Sequence, residues 1–232
     1  MSVMIGVPHL GDPPWPFVES LLGLKAPGGF RFVRRGPAAV DIARNQLVAT
    51  FLQSNMDHLL MVDSDAVLHR STLERLLSWD VPVVAALAFM RHGPLLPTVY
   101  KGQQPDNPEA FQTRIDEVRE FIGKHQEMVS SKPIVVEPRP NDALFEVDRT
   151  GCHCVLIRRD VLLSIPPPWF VRDEIHNAKE DFNFYEKVQA AGYPVYVDLS
   201  CMAAHLYGDR PLAAMDHFVW DASSEYSATT RQ

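Results

Sequence analysis

No stretch of this chain is apolar for long enough to span a bilayer. Its longest clean apolar run, Val81 to Met90, is interrupted by Pro82 and falls well short of the ~20 residues a membrane helix needs. The amino terminus lacks a basic segment leading into an apolar one, so no signal peptide and no transmembrane anchor are expected. Cysteine is scarce, with 3 in 232 residues. That excludes a disulfide framework and fits reduced thiols in a cytoplasmic protein. Cys152-His153-Cys154 has no clear partner pair nearby to complete the four ligands of a structural zinc site. Positive charge is also short: 22 Lys and Arg stand against 29 Asp and Glu, a net charge of -7. The chain as a whole has no electrostatic pull toward nucleic acid or anionic membrane. Neither G-x-G-x-x-G nor a P-loop is present, so a dinucleotide fold and a Walker NTPase are both unsupported.

What remains is the composition of a globular protein, 46% hydrophobic and 22% charged, with no linker that would divide it. The most informative stretch is His58 to Leu68. Leu59 to Val62 form an apolar run that suits a strand buried on both faces. It leads directly into Asp63-Ser64-Asp65. Two carboxylates one residue apart, at the carboxyl end of a central strand, lie where open α/β sheets bind ligands. Their mutual repulsion is relieved most simply by a hard divalent cation. The plainer reading is an Asp-rich turn that caps its own backbone. Ser71-Thr72-Leu73-Glu74 then reads as a capping box opening a helix that buries Leu73, Leu76 and Leu77. Asp80 to Leu87 reads as a further buried strand.

Before this stretch, Val3 to Pro8 is a strand, Trp15 to Leu24 a helix and Phe30 to Arg34 a second strand. Ala38 to Ser54 is a helix whose apolar stripe comprises Val40, Leu47, Val48, Phe51 and Leu52. Arg44 lies inside that stripe, and a guanidinium there needs an anion, either a ligand or Asp41 one turn away. After it, the loop 88–94 contains Arg91 and His92. Residues 101–142 read as an insertion with one amphipathic helix marked by Ile115, Val118, Ile122 and His125, broken afterwards by Pro133, Pro138 and Pro140. Leu144 to Asp148 and Cys152 to Ile157 are strands around Arg149-Thr150-Gly151. Gly151 is either a close approach of backbone to ligand or an ordinary turn residue. Trp169 offers a stacking surface or a core contact. A helix runs from Asp181 to Ala191, with Glu180 and Asp181 at its positive end. Tyr193 to Asp198 is the last strand, His205 follows among apolar residues, and 208–232 is a polar tail.

In this order the segments resemble the GT-A glycosyltransferases, which use nucleotide-sugar donors. The match rests on the strand to Pro8, Ala43-Arg44-Asn45-Gln46-Leu47, Asp63-Ser64-Asp65, Thr72 to Leu77, Thr150-Gly151-Cys152, Trp169-Phe170, Glu180-Asp181, Gly192 and His205. It covers residues 3–207 apart from 101–142, and it is most similar to short bacterial or phage-type members. The resemblance implies an α/β fold, a GT-A type Rossmann-like mixed sheet flanked by helices, forming one catalytic domain over 1–207. It implies Mn²⁺ or Mg²⁺ held by Asp63, Asp65 and His205. Pro8, Arg44, Asp63, Ser64 and Gly151 would contact a nucleotide-sugar donor, with UDP favoured. Asp181, or Glu180 in its place, would act as catalytic base or stabilise the sugar. The acceptor would be a hydroxyl of a glycan, a small molecule or a hydroxymethylated base of phage DNA. The rival readings are a nucleotidyltransferase, against which the missing Gly-rich loop counts, and a non-catalytic nucleotide-sugar-binding module.

Overall fold

Two fully buried apolar strands, Val3–Pro8 (β1) and His58–Val62 (β3), run parallel and side by side. They belong to a computed structural model that describes residues 1–90, 96–102, 108–125, 135, 137, 139–172, 180–207 and 210–211. Phe30–Arg35 (β2) pairs with the other side of β1, also parallel, in register from Val3 with Phe30 to Pro8 with Arg35. Beyond β3 come Cys154–Arg158 (β9), Val83–Leu87 (β5), Val195–Met202 (β10) and Leu144–Val147 (β7). The seven-stranded order is β2-β1-β3-β9-β5-β10-β7. β9 runs antiparallel to both of its neighbours, and β7 runs antiparallel to β10. The sheet is therefore mixed, in an α/β fold of Rossmann-like design.

Helices cover the sheet. Val40–Leu52 (α2) packs on β1 and β2, and Thr72–Leu77 (α3) packs on β5 and β10. Trp15–Leu22 (α1) contacts Ala66–Val67 (β4), and Arg159–Ser164 (α5) contacts α2 and β9. Glu180–Ala190 (α6) lies against β10 and the short strand Arg149–Thr150 (β8). The helices and the seven-stranded sheet share one hydrophobic core. The amphipathic helix of the 101–142 segment, Pro108–Lys124 (α4), buries Val118, Phe121 and Ile122 in that same core.

Three local expectations are corrected. Ser71 makes no side-chain cap and has φ -94°, ψ 2°, outside the extended geometry of a capping residue. A turn closed by the Thr72 amide on the His69 carbonyl precedes α3 and sets that backbone. Arg149-Thr150 is not a linker between strands but β8, paired with Val99–Tyr100 (β6). The last sheet strand extends to Met202, because a register shift after Asp198 keeps it beside β5. Arg91, His92, Pro133, Pro138, the side chain of Ile115 and nearly all of the tail lie outside the described residues. Within the tail, Arg210–Pro211 (β12) pairs with Ala204–Tyr207 (β11).

Candidate functional site

The chain leaves β1 for β2 on one side and returns to β3 on the other, so the strand order reverses between β1 and β3. Crevices at such a reversal, outside the carboxyl ends of the strands, are the usual ligand sites of α/β sheets. A pocket of about 400 Å³ opens there. Pro8, His9 and Leu10 form the wall after β1, Ala38 and Val40 the wall beside the start of α2, and Asp63, Ser64 and Asp65 the wall after β3. The unpaired amides at the amino-terminal end of α2 add a partial positive charge to this wall. Gly36 lies against the backbone of His9, a wall residue. Its φ of +142° suits glycine, and a Cβ there would collide with the carbonyl oxygen of His9.

Asp63 ends β3 in a tight turn, its amide donating to the His153 carbonyl at 3.0 Å and its carbonyl accepting from the Ala66 amide at 3.1 Å. The next residues form β4, which pairs antiparallel with β11 so that His205 faces Ala66. The Leu206 amide donates to the Asp65 carbonyl at 2.8 Å. This pairing brings His205 to Asp65, and the bond from Asp63 to His153 brings in the third side chain. Asp65, His153 and His205 each offer a ligand atom, all within 4.8 Å of one another. His205 Nδ1 lies 2.6 Å from the Phe89 carbonyl. It must donate there, which leaves Nε2 as the basic nitrogen, the arrangement typical of metal-bound histidines.

His153 is buried, with its ring against that of His205 at a centroid separation of 3.6 Å and tilted by 35°. Its Nδ1 lies 3.7 Å from Asp63 and 3.9 Å from Asp65, and neither ring nitrogen makes a hydrogen bond among the described residues. A buried polar atom left this way costs about 1–3 kcal/mol. Among the described residues, Asp65, His153 and His205 are the group that can hold a cation.

Arg44 has found its anions within the protein. Nη2 donates to Asp63 Oδ1 at 2.9 Å and Nη1 to Glu180 Oε1 at 2.6 Å, and the residue is only 3% exposed. Asp41, one turn away, is not its partner. Burial alone would drain the charge from Arg44, but Asp63, Glu180 and Asp181 hold it well above its usual value. Burial likewise pushes the Asp63 carboxyl up, and Arg44 and His153 outweigh it, keeping that carboxyl far below the ordinary range. Next to Arg44, Asn45 accepts from the amides of Trp169 and Phe170 at 2.8 and 3.1 Å. The Trp169 indole donates to the Leu162 carbonyl at 3.0 Å, so this ring is a structural contact.

The expected site residues therefore divide. Pro8, Asp63, Ser64 and Asp65 line one pocket, and His205 stands behind Asp65. Asp63 belongs to the Arg44 network and is not part of the three-ligand group. Glu180 and Asp181 open α6, with Glu180 on Arg44. Asp181 accepts from the Phe182 amide at 2.9 Å, and its charge, after burial, helps push the Tyr100 phenol up to about 12. Gly151 is away from the pocket wall, and a Cβ there would meet Thr98 only at ordinary contact distance. The residue that sequence reasoning did not assign is His153. Its signal was the Cys152-His153-Cys154 triplet, whose two cysteines are buried and free. Burial pushes the Cys154 thiol up to about 12 and the Cys152 thiol higher still.

Comparison with known proteins gives a fold and no family. Scans against protein-family models and against curated proteins find no match. Among solved structures, the crystal structure of A197 from STIV aligns over 92% of this chain and 91% of its own, with a TM-score of 0.58 and 19% identity. At that identity the likeness is one of fold, and it supports the α/β architecture with its mixed sheet.

Proposed function

We propose that this chain is a metal-dependent glycosyltransferase that moves a sugar from a nucleotide-sugar donor, UDP-linked by preference, to a hydroxyl acceptor. The observation that carries this reading is the meeting of Asp65 and His205 beside a pocket at the strand-order reversal. The pocket between Pro8 and Ser64 accommodates the nucleoside. The amino-terminal end of α2 attracts the diphosphate. Asp65 and His205 hold the divalent cation, Mn²⁺ or Mg²⁺. The hydrogen-bonded Nδ1 of His205, which leaves Nε2 as its basic nitrogen, fits such an ion. Bound there, the cation supplies charge neutralisation to the departing diphosphate.

Arg44 fixes Asp63 and Glu180 in place. Glu180 is engaged by Arg44 at 2.6 Å, and Asp181 beside it is the general base for the acceptor hydroxyl. The acceptor class remains that implied by the resemblance: a glycan, a small molecule or a hydroxymethylated DNA base. Calorimetric titration of UDP, with and without Mn²⁺, tests the donor site. Binding that needs the metal and disappears in Asp65→Ala supports it. If UDP, GDP, CMP and dTDP all bind without regard to metal or to Asp65, or do not bind, the proposal fails.

A further inference from the structure

His153 carries chemistry that the reading above leaves unused. A core histidine ordinarily satisfies its nitrogens with backbone or side-chain partners, yet both of these are buried and without a hydrogen bond among the described residues, Nδ1 having the Asp63 and Asp65 carboxylates only at 3.7 and 3.9 Å. The side chain is also held in place. The backbone of His153 is tied to the Asp63 amide at 3.0 Å, and its ring lies against that of His205, which the Phe89 carbonyl fixes in turn. Its ligand atom lies within 4.8 Å of those of Asp65 and His205.

The geometry points to His153 as the third protein ligand of the cation, which gives a site of two imidazoles and one carboxylate. This inference rests on the reading that Asp65 and His205 hold the ion. Two consequences follow from the ligand chemistry. Mg²⁺ prefers oxygen ligands and gives up its water reluctantly, whereas imidazole suits first-row transition ions. The site therefore takes Mn²⁺, Co²⁺ or Zn²⁺ ahead of Mg²⁺. The three ligands come from segments already fixed by backbone hydrogen bonds and by the β4–β11 pairing, so the ion binds before any nucleotide arrives and does not enter as a metal–nucleotide complex. Asp63, held by Arg44, stays outside this set.

The experiment uses the full chain and metal chlorides, without nucleotide. Calorimetry should show Mn²⁺ and Co²⁺ binding that millimolar Mg²⁺ does not displace. His153→Phe keeps a ring against His205 but has no nitrogen. It should weaken Mn²⁺ by roughly 100-fold, at or beyond the loss that outer-shell partners produce, while melting like the wild type in EDTA. Pulsed EPR of the Mn²⁺-loaded wild type gives a readout that does not depend on a variant folding, and it should report two ligated imidazoles. A single imidazole, or a His153→Phe protein that binds as the wild type does while Asp65→Asn and His205→Phe lose the ion, overturns the inference and leaves the Asp65–His205 reading standing. A wild type that binds none of these ions, with or without UDP, overturns both.

Discussion

Arg44 donates to Asp63 at 2.9 Å from the middle of α2, and the same guanidinium reaches Glu180 at the start of α6. One buried cation thus joins the carboxyl end of the central strand to a helix that begins 136 residues after Arg44 itself. Arg44 also explains why two carboxylates can stand together at the edge of the pocket, since it offsets the desolvation that would otherwise neutralise Asp63.

Arg44→Met should therefore destabilise the fold by about 3 kcal/mol, the lower end for breaking a buried pair, because Asp63 and Glu180 keep some solvent contact. The effect should depend on pH. The folded-state pKa of Asp63 is depressed, so the stability it contributes is present above the unfolded value of 3.8 and is lost as pH falls toward the folded value. Urea unfolding of both proteins should show a gap that is constant near neutrality and narrows below about pH 4.

Asp181→Asn should lower kcat for sugar transfer by about 10²–10⁴, the range for a lost general base, with little change in UDP binding. Glu180→Gln should instead lower stability, because it weakens the ion pair to Arg44. Steady-state transfer assays run beside thermal melts separate the two. A Glu180→Gln protein that is stable but inactive would exchange their roles.

Gly36→Ala places a Cβ against the His9 carbonyl at a backbone angle that side chains rarely adopt. Strain of this kind costs about 1–3 kcal/mol. Relief can come only by moving the pocket wall at His9, so UDP affinity should fall together with the melting temperature. Gly151→Ala, which meets only ordinary contacts, should leave both unchanged.

Cys152, Cys154 and Cys201 are buried, and burial raises all three thiols, that of Cys154 to about 12. The native protein should react with a thiol reagent at pH 8 far more slowly than the unfolded chain, which should titrate all three. Because the native state favours the neutral thiol, stability should be unaffected below the unfolded value of 9.0 and should decline as pH rises from there toward 12. Alkaline unfolding of Cys154→Ser would measure that part.

The local pattern of residues determined much of this molecule. The apolar runs Val3–Pro8, His58–Val62 and Val83–Leu87 are the buried strands, and Asp63 and Asp65 emerge at the carboxyl edge because β3 ends where its apolar run ends. Burial in a strand or along a helix face leaves a periodic mark in the sequence, and so does the place where the mark stops. Partnership across the chain leaves none. That Arg44 would have an anion followed from its place in an apolar stripe, but its partners were decided by how α2, β3 and α6 converge. His153 joined Asp65 only because β9 runs antiparallel to β3, placing Cys154 opposite Val62. His205 joined them through the pairing of β11 with β4. The Ser71 capping box failed for a related reason, since the turn before α3 set a backbone its side chain could not use. Strand register and direction are settled by the packing of the whole sheet, and they alone assembled a carboxylate and two imidazoles from three distant segments.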